Sequence, residues 1–334
     1  MTYLVVRFST LGTVAMLVPV LCAVAERYSG DTFVVITDKP LNALFAEVPN
    51  IKVVVRNRAV SSRHLTNQLI DTYAVDAVLD LQDSFDSRLL RFYMRLKRKP
   101  VYVIKKERWR RRALIRKGYQ HSEPLLTEFQ LYERTFMAAG LKVDNMKVPA
   151  YKSKVNDKLF GLKIEGEQWI GVAPFATHRT NMLPRLQIKE LLAYLSKRKN
   201  TKIYLFGAGE VECEVLDQWE TIYDNTRSVA GKLPLESELA LMKQLDLMVC
   251  MDSANQHLSS LVGLPALTIW CGTHPYAGFY GWNQPAENIV QKQLSCRPCT
   301  LHGAERCKKK TFECQTIEAQ EIIDKIENLL SKSN

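Results

Sequence analysis

The chain has 334 residues, 46% hydrophobic and 24% charged, a balance that fills two ordinary cores and excludes a disordered or fibrous protein. Lys and Arg (46) outnumber Asp and Glu (35), giving +11 and pointing to an anionic partner: nucleic acid, a membrane surface or a phosphorylated substrate. The apolar run Val14–Ala25 is too short to cross a bilayer, and no basic stretch precedes it as in a leader peptide, so a cytoplasmic protein is expected.

In chain order, Tyr3–Phe8 reads as a buried strand, Ser9–Gly12 as a turn and Val14–Tyr28 as a helix. Strands follow at Thr32–Thr37, Ile51–Val55, Ala77–Leu81 and Val101–Ile104, with helices at Leu41–Glu47, His64–Thr72 and Ser84–Leu96 between them. After Pro149 the chain turns polar until Gly166, and the pattern restarts with strands at Trp169–Ala173, Lys202–Phe206, Leu247–Met251 and Ala266–Trp270. Helices are expected at Leu186–Arg198, Val211–Trp219, Ser237–Leu245, Asn255–Val262 and Ile317–Leu330. Such alternation builds parallel sheets covered on both faces. The expectation is an N-terminal domain over 1–150, a linker over 151–166, a second domain over 167–315 and a closing helix over 316–334. Two doubly wound domains would place a cleft between them, with ligands outside the carboxyl ends of the strands.

Fourteen basic residues and one acid, Glu107, lie between Arg88 and Lys117, so this stretch holds more than the whole net charge. Arg88, Lys105, Lys106, Arg110, Arg111 and Arg112 are its candidate anion contacts, read as part of the N-terminal domain. Trp109 and Tyr102 among the cations also fit a nucleic-acid surface. Four of the eight cysteines are scattered: Cys22, Cys213, Cys250 and Cys271 read as small buried hydrophobes. The other four, Cys296-x2-Cys299-x7-Cys307-x6-Cys314, open on zinc-knuckle spacing. A structural zinc, free thiols and disulfides all stay open for them.

The strand Leu247–Met251 runs into Asp252-Ser-Ala-Asn-Gln-His257. Asp252 or Ser253 suits the N-cap of the next helix, whose free N–H groups and dipole favour a phosphate. His257 falls on the first turn. Taken alone, such a junction is more often only a cap. The whole string is more specific: Met251-Asp-Ser-Ala-Asn-Gln-His-Leu, then Gly263-Leu-Pro, then Trp270-Cys-Gly-Thr-His-Pro. It resembles the C-terminal signature of the ADP-heptose:lipopolysaccharide heptosyltransferase family, Asp-Thr/Ser-Gly-x-x-His-Leu-Ala followed by Gly-x-Pro and a Phe-Gly-x-Thr-x-Pro strand end. Arg7-Phe-Ser-Thr-Leu-Gly12, Ile170-Gly-Val-Ala-Pro174 and Leu205-Phe-Gly207 resemble other parts of the same family.

The resemblance implies the GT-B fold, two Rossmann-like domains facing a central cleft, and inverting sugar transfer that requires no metal or other cofactor. It implies that Asp252, Ser253, Ala254 and His257 hold the diphosphate and sugar of an ADP-sugar donor, and that Glu210 lies near an acid contacting the ribose. Thr177 and Arg179 follow a strand end and are candidate contacts to the departing phosphate. The acceptor implied is an anionic glycolipid of the Kdo–lipid A type, met at the inner-membrane surface by a peripheral protein.

Two positions depart from the pattern. Where the family has an Asp after the opening glycine, the natural base for the acceptor hydroxyl, this chain has Gly12-Thr13, and a threonine hydroxyl titrates far above neutral pH. Asn181-Met-Leu-Pro184 stands where the family has a Lys before Trp-Pro. Asp83, just after a strand, is the candidate substitute base; a helix cap is its plainer role. The expected function is transfer of a heptose-like sugar onto a lipopolysaccharide inner core. The alternatives are an impaired paralogue that binds nucleotide-sugar or glycolipid only, and a nucleic-acid-binding protein using 88–117.

Overall fold

The computed structural model describes residues 1–45, 48–151 and 160–332. They fall into two compact units.

The first unit carries five parallel strands: β1 (Thr2–Val6), β2 (Thr32–Thr37), β3 (Ile51–Val55), β4 (Ala77–Asp80) and β5 (Val101–Val103). Their order is β3-β2-β1-β4-β5, so the direction of winding reverses between β1 and β4. Helix α1 (Leu11–Arg27) buries every residue from Val14 to Ala25, which is why its sequence shows an apolar run rather than a stripe. Helices α2 (Ser62–Tyr73) and α3 (Phe85–Leu96) lay Leu65, Leu69, Leu90 and Met94 on Leu4, Val6, Val34 and Val78. The alternate strand residues Val5, Phe33 and Val35 are equally buried, as a sheet covered on both faces requires.

The second unit holds six parallel strands: β6 (Gln168–Ala173), β7 (Thr201–Leu205), β8 (Thr226–Ser228), β9 (Leu247–Met251), β10 (Ala266–Trp270) and β11 (Ile289–Gln291), in the order β11-β10-β9-β6-β7-β8. Here the reversal lies between β6 and β9. The helices are α4 (Arg108–Lys117), α6 (Arg185–Leu195), α7 (Glu210–Glu220), α8 (Leu235–Met242), α9 (Ala254–Leu261) and α10 (Ala319–Lys332), while α5 (Glu128–Ala138) belongs to the first unit. The closing helix α10 is part of this core: Ile322, Ile326 and Leu330 pack with Leu191, Leu192, Leu267 and Ile269.

Several expectations change. Val14–Tyr28 begins earlier, at Leu11, because Thr10 and Thr13 form a capping box. The expected helix Leu41–Glu47 is a 3-10 helix over Leu41–Phe45; residues 46 and 47 lie outside the described residues, as do 152–159, most of the expected linker. The first unit ends at Tyr151 but is not contiguous, because Arg108–Leu125 groups with the second unit. The basic stretch 88–117 is therefore not wholly N-terminal: it divides after Glu107. The local reason is that α4 buries Leu114 and the next turn docks on the second unit. The Tyr119 N–H donates to Arg297 O (3.0 Å) and the Leu125 N–H to Tyr276 O (2.9 Å). Among the described residues, no helix is long and apolar enough to cross a membrane.

Candidate active site

In the second unit, the sheet reversal at β6/β9 places the β9–α9 junction where open α/β sheets take ligands. Asp252 leaves β9 with its N–H on Ile269 O (3.0 Å). Its carboxylate accepts from Thr273 Oγ1 (2.5 Å) and Gln256 Nε2 (3.0 Å), tying the ends of β9 and β10 together. Asp252 is therefore not the helix cap. Ser253 occupies that position, yet its hydroxyl makes no capping bond, and the buried Ser253 Oγ and His257 Nδ1 find no hydrogen-bond partner among the described residues. Ala254 opens the helix. This end of α9 thus combines unpaired N–H groups with two buried, unpaired side-chain atoms, an arrangement that suits an anion.

Burial sets the charges. It raises the Asp252 carboxyl to about 6, against the opposing hydrogen bonds of Thr273 and Gln256 and the nearby Arg297. It lowers the His257 imidazole to about 3, so at neutral pH His257 offers a neutral N–H rather than a cation. The positive charge comes instead from Arg297, which sequence reasoning passed over. It is fully buried and donates to Thr273 O (2.7 and 3.1 Å), Trp270 O (2.9 Å) and Lys292 O (2.5 Å). It holds in place the loop that carries Thr273 and His274. The His274 ring stacks on Tyr119 (centroids 4.1 Å apart, planes 14° apart), so the segment following α4 buttresses this loop.

In the same unit, a cleft of about 440 Å³ is lined by Phe175, Arg179, Met182, Arg185, Glu212 and Gln315, among others. Arg179 lies over the Phe312 ring at 4.8 Å. Of the two acids near the β7 end, Glu212 lines this cleft, accepting from Ala208 N (2.9 Å), with its carboxyl pushed up by burial. Glu210 is exposed and does not line it, nor does the exposed Thr177. Asn181 is buried and bonds His302 O (3.0 Å). Its neighbour Thr180 receives the Ala304 N–H (2.8 Å) and the Gly272 N–H (2.8 Å). Position 181 clips two loops together and presents no cation.

In the first unit, Thr13 Oγ1 accepts from Thr10 N (3.0 Å) and donates to Thr10 O (3.0 Å), the work of a capping residue. Asp83 follows β4, but its carboxylate faces two guanidiniums, Arg88 (3.4 Å) and Arg91 (3.3 Å). Arg91 also pairs with the buried Asp80 (2.8 Å). Lys106 donates to Gln82 O (2.6 Å), and Lys105 is exposed. In the second unit, Arg110 donates to Pro124 O (3.2 Å) and Arg111 lies 5.9 Å from the Phe279 ring, while Arg112 is exposed. The first unit also has a cleft of about 370 Å³ bordered by Arg56, Arg58, Arg63, Ser61 and Tyr93. These cations are too scattered in sequence to stand out beside the 88–117 run.

Cys296 and Cys307 are half-buried, Cys299 and Cys314 buried, and all four are free thiols. Among the described residues no three His, Cys, Asp or Glu side chains converge as metal ligands.

Residues 63–310 match the model of glycosyltransferase family 9 (heptosyltransferase). Lipooligosaccharide heptosyltransferase 2 of Campylobacter jejuni serotype O:6 is 21% identical over 96% of both chains. Two solved Escherichia coli structures share the architecture. ADP-heptose lps heptosyltransferase II superposes with a TM-score of 0.72 at 16% identity, over 100% of this chain and 99% of that one. Heptosyltransferase WaaC with ADP superposes with a TM-score of 0.69 at 16% identity, over 98% and 100%. The fold is of the GT-B class.

Proposed function

Since the chain belongs to glycosyltransferase family 9, the heptosyltransferases, we propose that it binds an ADP-sugar at the β9–α9 junction and transfers a heptose-like sugar to an anionic lipopolysaccharide inner-core acceptor. The observation that carries this reading is the pair of buried, unpartnered atoms Ser253 Oγ and His257 Nδ1 at the open end of α9. Diphosphate oxygens accept from the helix N–H groups, from Ser253 and from the neutral imidazole. Asp252, fixed by Thr273 and Gln256, stands beside them as an acceptor for sugar hydroxyls. Glu212, rather than Glu210, is the acid placed for the nucleoside, and Arg179 borders the same cleft. Binding of ADP by the WaaC structure supports the choice of nucleotide.

Inverting transfer requires a base on the acceptor hydroxyl as the diphosphate leaves from the opposite face. Thr13 supplies no carboxylate, and the Asp83 carboxylate is engaged by two arginines. These two observations favour a second reading, in which the protein retains donor or glycolipid binding with impaired transfer.

Calorimetric titration of ADP, UDP and GDP into the parent, Ser253→Ala and His257→Ala tests the donor site. The reading expects ADP to bind best and each variant to lose about tenfold, the worth of a hydrogen bond to a charged group. Equal binding across the three proteins removes the site assignment. Product analysis with ADP-heptose and a Kdo–lipid A acceptor then separates transfer from binding alone.

A further inference from the structure

Helix α3 shows two opposed apolar faces. Leu90 and Met94 are buried in the first unit's core. Phe85, Leu89, Phe92 and Leu96 face the other way and are 74%, 39%, 53% and 64% exposed. Their spacings of four, three and four residues put them within about 60° of the helix circumference. They form one continuous apolar stripe, not scattered surface residues, on a helix that already has a buried face.

Charge identifies what covers the stripe. Arg88 and Arg95 flank it along one side, and Lys97, Arg98 and Lys99 follow at its C-terminal end. The one acid on α3, Asp86, pairs with Arg56 (2.8 Å). Arg95, Lys97 and Arg98 are exposed and make no ion pair among the described residues. Phe and Leu side chains bordered by Arg and Lys are the composition of a helix that lies in the plane of an anionic membrane surface, apolar side down. A hydrophobic protein partner would fit the stripe, but it would leave the adjoining cations without partners.

We infer that α3 is an interfacial membrane-binding helix, sinking Phe85, Leu89, Phe92 and Leu96 into the acyl boundary of an anionic bilayer while Arg95, Lys97 and Arg98 meet lipid phosphates. Of the six candidate anion contacts, this favours the neighbourhood of Arg88, on α3 itself, over Arg110–Arg112 on α4. It deepens the glycolipid reading by naming the surface that meets the bilayer, but its test needs no acceptor sugar and can fail separately.

The test is flotation of the full chain with vesicles of phosphatidylcholine alone and of phosphatidylcholine with about 30% phosphatidylglycerol, an anionic surface of the kind that attracts basic segments. It compares the parent, Phe92→Ser with Leu96→Ser, and Arg95→Gln with Lys97→Gln and Arg98→Gln. The parent is expected to bind the anionic vesicles, and each multiple variant to bind at least about tenfold more weakly. Both variants should keep the parent's circular dichroism and ADP affinity, which reports on the second unit. Absence of parent binding to anionic vesicles, or undiminished binding by folded variants, overturns the inference. So does equal parent binding to neutral and anionic vesicles. A concentration-dependent dimer that Phe92→Ser with Leu96→Ser converts to monomer, without vesicle binding, assigns the stripe to a second copy and also overturns it.

Discussion

Replacing Asp252 with asparagine should stabilise the second unit at neutral pH. The Asp252 carboxyl is held at about 6 instead of its ordinary 3.8, so the folded protein binds this proton more tightly than the unfolded chain does. The stabilising effect is complete below about pH 4, declines as pH rises through 6, and is gone above it. A shift of that size corresponds to roughly 3 kcal/mol, since each pKa unit is worth about 1.4 kcal/mol. The substituted asparagine has no charge to bury. Its amide must donate where the carboxylate accepted, with the Thr273 hydroxyl turning round to receive it, at a cost of about 1 kcal/mol. The variant should therefore exceed the parent by about 2 kcal/mol at pH 8, or roughly 4–8 °C in melting temperature for a unit of this size, and match or trail it at pH 4. Thermal unfolding followed by tryptophan fluorescence at pH 4, 6 and 8 reads the difference between the two proteins, in which all other titrations cancel. A constant difference across pH, or a parent that gains on the variant as pH rises, refutes the reasoning. A protein that keeps such a carboxylate carries a stability cost at this junction, as binding sites often do.

Four further outcomes are expected. Thr13→Asp retains an acceptor for the Thr10 N–H and should leave folding and ADP affinity unchanged while raising turnover by about 10²–10⁴-fold; a parent already active that loses activity only in Asp83→Asn places the base at Asp83 instead. Glu212→Gln should weaken ADP binding about tenfold, against no change for Glu210→Gln, read by the same calorimetry. Gly118→Ala should lower the melting temperature by several degrees, because this position has φ +80° and a Cβ there would lie 2.5 Å from Ser295 O. Reversing Arg110, Arg111 and Arg112 to Glu should affect vesicle flotation less than the α3 apolar variant does, since Arg110 and Arg111 already contact Pro124 and Phe279.

The strand–helix alternation was legible because β1, β2, β6, β9 and β10 are buried on both faces and read as unbroken apolar runs. The three-residue β8 and β11 are too short to show a period. Helix α4 was hidden by its own charge: of Arg108–Lys117, Leu114 alone is classed as buried, so no apolar face marks it. The β9–α9 junction stood out as a string of residue types, but the bonding within it did not. That Asp252 reaches across to Thr273 while Ser253 stands uncapped depends on β9 and β10 lying side by side, a pairing that the local sequence does not encode. Likewise Glu210 and Glu212 lie two residues apart on α7, and the direction each takes is set by the turn at Gly207–Gly209. Arg297 was invisible because cysteines surround it in sequence, and it becomes a scaffold only after Trp270 and Thr273 turn their carbonyls toward it.

The grouping of Arg108–Leu125 with the second unit also has a consequence in time. On the ribosome this segment emerges well before the loop at 270–297 that receives Tyr119. At usual synthesis rates the delay is roughly ten to thirty seconds. Through that interval Tyr119 has no surface to dock on, and a strongly cationic segment stays open to polyanions and chaperones. The first unit must meanwhile close around a gap in its own chain, joining β5 to α5 across the excursion Arg108–Leu125. Maturation of this protein should therefore be governed by a late step, the capture of an early segment by a late one, and a nascent chain arrested just after Tyr151 should remain protease-sensitive at Arg108–Lys117 even when its five-stranded sheet is already protected.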